Sequence, residues 1–126
     1  MKRVLAGALL ALALCGAAAA QEVQRKEQKQ FIYVLKLTPR LLDEKNWTEQ
    51  DNQIVGRHFR RLQRLHKEGR VLMAGRTLNS DPGQFGVVVF ETASEDEARA
   101  LMEADDAVKE KIMTAQLFPF RVAFIK

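Results

Sequence analysis

Short runs of apolar, β-branched and aromatic residues predict four strands in this chain. The run F-I-Y-V-L-K-L is rich in residues that favour β-structure, and it stops at Thr38-Pro39. Two later runs flank the turn sequence N-S-D-P-G and therefore predict an antiparallel hairpin. The last run contains Pro119, which suggests an edge strand or a bulge. The predicted strands cover residues 31–37, 70–78, 85–91 and 117–125.

Helical periodicity predicts two main helices between these strands. In residues 48–67, apolar side chains recur at helical spacing after a T-x-x-D cap, and Gly69 is expected to end the helix. An S-x-x-E capping box at Ser94 opens a second helix, which we expect to end near Ala104. Residues 105–112 predict a further short helix or turn.

The resulting order, β-α-β-β-α-β, is that of a ferredoxin-like sandwich, an α+β fold. In this fold, two helices cover only one face of a four-stranded sheet. The other face is left bare, while residues such as Val87, Val89, Phe118 and Phe120 need burial on one face or the other. We therefore expect two copies of the chain to pair through their sheets.

The N-terminal segment predicts export. Two basic residues precede an uncharged apolar run that ends in small residues, as in a signal peptide cleaved after Ala20. An uncleaved membrane anchor is the alternative, but the strongly apolar part ends near Leu14, short of the roughly 20 residues that a spanning helix needs. We expect a periplasmic protein without stable membrane association after cleavage. The expected segments are a signal peptide at residues 1–20, a flexible lead-in at residues 21–30 and one domain at residues 31–126.

Composition narrows the possible function classes. The 126 residues carry a formal net charge of +4, but two basic residues lie in the signal peptide, so 18 basic and 16 acidic residues remain after it. The single cysteine, Cys15, also lies there, which leaves no thiol for disulfides, nucleophilic catalysis or metal binding. We interpret a basic stripe on the first helix as a solvated face and expect no nucleic-acid partner. The stripe consists of Arg57, Arg60, Arg61, Arg64 and Lys67.

His58 is the main candidate for chemistry. It shares a helix face with Ile54 and Leu62, so its ring should point into the core. Such a ring is costly to bury unless a carboxylate, a carbonyl or a ligand holds one nitrogen. Asp105, just after the second helix, is a candidate partner; a backbone carbonyl is the alternative, with Asp105 merely capping the next turn. The other histidine, His66, does not complete a metal set, and we expect neither a metal nor another cofactor.

The chain resembles the YCII-related family of small α+β proteins in three segments. They are the run H-F-R-R-L-Q-R-L-H-K-E-G-R-V-L-M-A-G-R, residues 94–104 with the following Asp105, and the late F-P-F. The resemblance covers residues 31–120 and implies a dimeric α+β barrel with a histidine and an aspartate paired in a pocket. The matching positions are His58 and Asp105. The family often has Asp-Pro where this chain has Asp-Asp, so Asp106 stays open as the partner.

A paired histidine and aspartate suit proton transfer, because the carboxylate fixes the tautomer of the ring. The expected function is therefore acid–base catalysis of a lyase, isomerase or hydrolase type on a small organic molecule. Arg76 is a candidate for binding a substrate carboxylate, and Tyr33 for reaching the same pocket. A solvated arginine and a packed tyrosine are the alternatives. The second hypothesis is a non-catalytic dimer that binds a small ligand or a protein in the same cavity.

Overall fold

The structure, a computed structural model, describes residues 27–126. The expected signal peptide and most of the expected lead-in lie outside the described residues. The strands are β1 (Lys29–Leu37), β2 (Val71–Arg76), β3 (Gly86–Thr92) and β4 (Met113–Pro119). They form one antiparallel sheet in the spatial order β2-β3-β1-β4.

The helices pack against one face of this sheet. They are α1 (Glu49–Lys67), α2 (Glu95–Glu103) and the single turn α3 (Asp106–Lys109). The loop before α1 contains two 3₁₀ turns, Pro39–Leu42 and Glu44–Asn46. The element order is the predicted β-α-β-β-α-β, α3 is the short further helix predicted within residues 105–112, and the α+β ferredoxin-like fold is confirmed.

The start of α1 is fixed by the predicted cap. The Thr48 hydroxyl accepts the Asp51 N–H at 3.2 Å, while the Asp51 carboxylate accepts the Thr48 N–H at 2.9 Å. Arg40 adds two hydrogen bonds to that carboxylate, at 2.7 and 3.0 Å. These bonds hold the pKa of Asp51 well below its usual range, with the Arg40 bond contributing most. At the other end, Gly69 adopts a φ of 77°, the left-handed conformation that ends many helices.

The predicted bounds of the last strand were wrong. β4 begins at Met113 and ends at Pro119, whereas the apolar pattern predicts residues 117–125. The strand pairing with β1 ends at Pro119, opposite Phe31, and one further backbone hydrogen bond runs from the Phe120 N–H to the Gln30 carbonyl at 3.0 Å. The apolar residues that follow lie outside the strand, and Phe124 is 97% exposed. β4 is an edge strand, as Pro119 suggested.

The two faces of the sheet differ in what covers them. Residues on the helix-facing side form the main core with α1 and α2; they include Phe31, Tyr33, Leu35, Val88 and Phe90. The alternation of strand residues places another apolar set on the opposite face. That set consists of Ile32, Val34, Met73, Val87, Val89 and Phe118. We call it the open face; Val89 is buried there, Met73 and Phe118 are exposed, and the others are half-buried.

We predict that Val87→Lys dissociates a dimer built on the open face. A two-fold interface would bury the new ammonium group twice, and a cost of roughly 3 kcal/mol corresponds to about a 100-fold weaker dimer. Light scattering over a dilution series measures this change. Leu78→Lys, on the exposed loop after β2, is the matched control and should leave the dimer intact. A wild-type protein that stays monomeric at every concentration contradicts the prediction.

Candidate functional site

Asp105 lies at the centre of the candidate site and is completely buried. It follows the end of α2 and caps α3, where its Oδ1 accepts the N–H of Ala107 at 3.0 Å. The same oxygen contacts Nδ1 of His58 at 2.6 Å. Oδ2 accepts the hydroxyl proton of Tyr33 at 2.8 Å. Donors from α1, β1 and the backbone of α3 therefore converge on one buried carboxylate.

This arrangement sets the charge of Asp105. Burial by itself raises the pKa of a carboxyl group, but the hydrogen bond and charge of His58, with the bonds from Tyr33 and Ala107, outweigh it. The pKa of Asp105 is therefore lowered from its ordinary value. An ionised carboxylate can only accept hydrogen bonds. We infer that Nδ1 of His58 carries the proton of the 2.6 Å bond.

An open cleft of about 1370 Å³ lies between α1, β2 and the loop that joins β2 to β3. Its walls are largely apolar and include Leu35, Leu62 and Val88 from the core. We call it the α1–β2 cleft. His58 and Arg76 both line it, whereas Asp105 and Tyr33 lie behind its wall, so these four candidates occupy two layers.

His58 connects the buried carboxylate to the cleft. The helical stripe predicted from the sequence places it between Ile54 and Leu62, and it is 8% exposed. Among the hydrogen bonds of residues 27–126, none engages its Nε2. A neutral ring with its proton on Nδ1 presents Nε2 as a proton acceptor, the state that general-base chemistry requires.

Tyr33 lies on the inner side of β1 and is fully buried. Its ring packs edge-on against Phe90, with the ring centroids 5.5 Å apart. Burial, followed by the charge of Asp105 and the hydrogen bond to it, raises the pKa of the Tyr33 hydroxyl, so this group stays a protonated donor. The structure thus places Tyr33 against Asp105 and not on the wall of the cleft.

The alternative carboxylate, Asp106, points elsewhere. Its Oδ1 lies 3.8 Å from Nε of Arg57, in a pair that is partly exposed to solvent. The cap geometry explains the difference, because the residue before the first turn of α3 turns its side chain back onto the N–H of Ala107. Asp105 is therefore the carboxylate that contacts His58.

Arg76 ends β2 on the side of the sheet that faces the helices, since it pairs with Gly86, which in turn pairs with the inward-facing Leu35. Its side chain is exposed and lines the cleft. None of the ion pairs among residues 27–126 uses Arg76. Its guanidinium group is therefore available to an anion that enters the cleft.

The sequence analysis missed the placement of two residues. His66 also lines the α1–β2 cleft, and its Nδ1 contacts the carbonyl oxygen of Val71 at 2.7 Å. Its distance of eight residues from His58, about two helical turns, was the available signal. Arg61 was assigned to the solvated stripe, which is wrong: it is half-buried, and its Nη2 donates to the carbonyl of Leu101 at 3.0 Å.

In residues 27–126, no three histidine, cysteine, aspartate or glutamate side chains lie close enough together to hold a metal ion. Over the same range, no helix has the length and apolar character needed to cross a membrane.

The chain matches a known protein family. The family model of the YCII-related domain matches residues 31–121, which include every strand residue from Phe31 onward and all four candidate site residues. No curated protein matches the chain.

We predict that Asp105→Asn lowers the free energy of unfolding by about 1.5–3 kcal/mol near neutral pH, the usual contribution of hydrogen bonds to a charged group. Asparagine keeps the shape and still caps a helix, so the fold should persist. Urea unfolding measures the loss. Asp106→Asn is the matched control and should change stability by no more than about 0.5 kcal/mol, because its pair with Arg57 is accessible to solvent.

The difference in stability between wild type and Asp105→Asn should depend on pH. Because the folded pKa of Asp105 lies below the ordinary value of about 3.9, its ionisation stabilises the fold fully above that value. This contribution is lost as the pH falls through the folded pKa. The stability gap between wild type and Asp105→Asn should be full at about pH 6 and smaller at about pH 3. A gap of equal size at both pH values would contradict the account.

Proposed function

Since the chain belongs to the YCII-related domain family, and since a buried Asp–His pair ends at the wall of an open cleft, we propose that it is an acid–base enzyme. In this proposal it acts on a small organic acid through His58, with Asp105 as the positioning carboxylate. The reaction is of a lyase, isomerase or hydrolase type. The observation that carries the proposal is the 2.6 Å contact between His58 and Asp105, with Nε2 of the ring left for the substrate.

The proposed chemistry follows from the two layers of the site. Nε2 of His58 takes a proton from the substrate or from a water molecule, and the imidazolium that forms is stabilised by the ionised Asp105 behind it. In an elimination or a hydrolysis, the imidazolium then gives this proton to the departing leaving group; in an isomerisation, it gives the proton to a different atom of the substrate. Side chains supply such proton transfers themselves, so the proposal includes no cofactor.

Arg76 gives the proposal its substrate class. It is a cation without an ion pair in the described part of the chain, and it shares a largely apolar cleft with His58. A guanidinium group binds a carboxylate in a two-pronged geometry. We propose that Arg76 holds the carboxylate of an organic acid whose apolar part lies against the wall between Arg76 and His58.

A non-catalytic binding module is the second candidate function. At about 1370 Å³, the α1–β2 cleft is larger than most small-molecule pockets, which hold roughly 300–1000 Å³, and it is open to solvent. Exposed apolar side chains line it, namely Phe59, Met73, Leu78 and Phe85. These two observations favour a ligand or protein partner that is bound without reaction.

The setting of this function is also part of the proposal. We propose export to the periplasm by a cleaved signal peptide, and the mass of the exported protein tests this cleavage. We also propose a homodimer formed through the open face. His58 and Arg76 line the α1–β2 cleft from the helix side of the sheet, whereas Met73 and Val87 belong both to the open face and to the lining of the cleft, so a partner on the open face would border the cleft at these two residues.

We predict that small carboxylic acids raise the melting temperature of the protein, whereas their amides do not. The screen uses the mature protein with unsaturated and aromatic acids, each paired with its own amide as the uncharged control. Arg76→Gln should abolish the preference for the acid, because it removes the cation but keeps a polar side chain of similar length. Arg70→Gln, an exposed arginine just before β2, should keep the preference.

Turnover separates the two candidate functions. Proton NMR of each bound acid over time should show conversion by the wild type, and His58→Gln should stop the conversion while changing affinity by no more than about threefold. If the acids bind to wild type and variant alike and are never converted, the binding module is correct. If no acid binds preferentially over its amide, the proposed substrate class is wrong.

A further inference from the structure

Arg61 occupies an unusual position beside the site. It lies on α1, three residues after His58, and its guanidinium group reaches across to α2, where Nη2 donates to the Leu101 carbonyl at 3.0 Å. The other terminal nitrogen, Nη1, is buried. Among the side-chain nitrogens and oxygens of residues 27–126, it is the one buried atom without a hydrogen-bond partner. A buried cationic donor is costly unless something nearby benefits from its charge.

The hydroxyl of Tyr33 is a group that can benefit from this charge. Arg61 is bonded to Leu101, which belongs to the same packed core cluster as Tyr33. Both the charge of Arg61 and its hydrogen-bonding capacity act on this hydroxyl, since each lowers the pKa of Tyr33 against the raising effects of burial and Asp105. Tyr33 gives its one proton to Asp105, which leaves its oxygen lone pairs as acceptors.

We propose that Arg61 is a positioning residue for His58 that acts through Tyr33 and Asp105. A guanidinium group has donors only, so it can approach the Tyr33 oxygen only from the lone-pair side. The hydroxyl proton is then directed to Asp105, and the nearby cation makes the phenol a stronger donor. The carboxylate of Asp105 is satisfied in this way, and the Nδ1 proton stays on the His58 ring.

This inference deepens the proposed function, and its catalytic part rests on that function. The proposed chain from Arg61 through Tyr33 and Asp105 to His58 does not itself require a reaction. The proton on Nδ1 of His58 reports on the chain, because its NMR resonance moves downfield when the acceptor draws it more strongly. Arg61→Met should weaken Tyr33 as a donor, leave Asp105 less satisfied and move this resonance downfield. Tyr33→Phe should move it further in the same direction. Arg61→Met should add nothing when combined with Tyr33→Phe.

The controls separate this role from a purely structural one. Arg60→Met changes the neighbouring, exposed arginine and should leave the resonance in place. Loss of the Leu101 bond lowers the melting temperature with or without Tyr33→Phe, whereas the shift of the His58 proton requires the Tyr33 hydroxyl. If Arg61→Met does not fold, Arg61→Lys replaces it and should give a smaller downfield shift that again vanishes with Tyr33→Phe.

Two results would overturn the inference. One is a wild-type resonance position in Arg61→Met, or in Arg61→Lys if that variant replaces it. The other is a shift that persists in the Tyr33→Phe background, which would show that Arg61 acts on the pair by another route. Neither result depends on turnover. If the protein converts no acid but shows the coupled shifts, the role of Arg61 stands and the proposed enzyme function is wrong. If the protein converts an acid but shows no coupled shifts, the enzyme function stands and the role of Arg61 is wrong.

Discussion

The need to satisfy one buried carboxylate organises this protein. Asp105 is fully buried, and a charge in that position destabilises a fold by several kcal/mol unless donors surround it. The fold supplies them from separate elements: Tyr33 from the central strand β1, His58 from the middle of α1, and the backbone of Ala107 at the start of α3. The packing of both main helices on one face of the sheet brings these donors together.

The residues of the site differ in their access to the cleft. Tyr33 and Asp105 are enclosed, whereas His58 has one ring nitrogen on the carboxylate and lines the α1–β2 cleft with the rest of its ring. When Nε2 gains a proton, the positive charge on the ring is therefore stabilised by a carboxylate that solvent does not screen. Arg76 lines the same cleft. In the function that we propose, Arg76 binds the acid and His58 transfers the proton, so that the two tasks fall to separate side chains.

Much of the fold was predictable from the sequence because its signals are periodic. Alternating strands, capped helices and turn residues predict the element order, and the helical stripe identifies His58 as an inward-facing polar residue. The end of β4 was not predictable in this way. Residues 120–125 are apolar except for Arg121, but β4 ends at Pro119, opposite Phe31, although β1 extends two residues further. Apolarity alone does not reveal where a strand stops.

The candidate site was predictable only as a list of residues. Choosing Asp105 over Asp106 depends on which one caps α3, a matter of one residue in backbone geometry. The alternation of β1 places Tyr33 inward but does not say which acceptor its hydroxyl meets. The basic stripe predicts one environment for all its members, so it does not distinguish Arg61, which reaches across to α2.

The central claim is that an ionised Asp105 holds His58 with the proton on Nδ1 and leaves Nε2 for the cleft. The most direct test is ¹⁵N NMR of the two ring nitrogens of His58 in its neutral form, assigned by the loss of their signals in His58→Gln. The account predicts a protonated Nδ1 and an unprotonated Nε2 in the wild type. In Asp105→Asn, it predicts a mixture of the two neutral tautomers. A neutral ring that carries its proton on Nε2 in the wild type would contradict it.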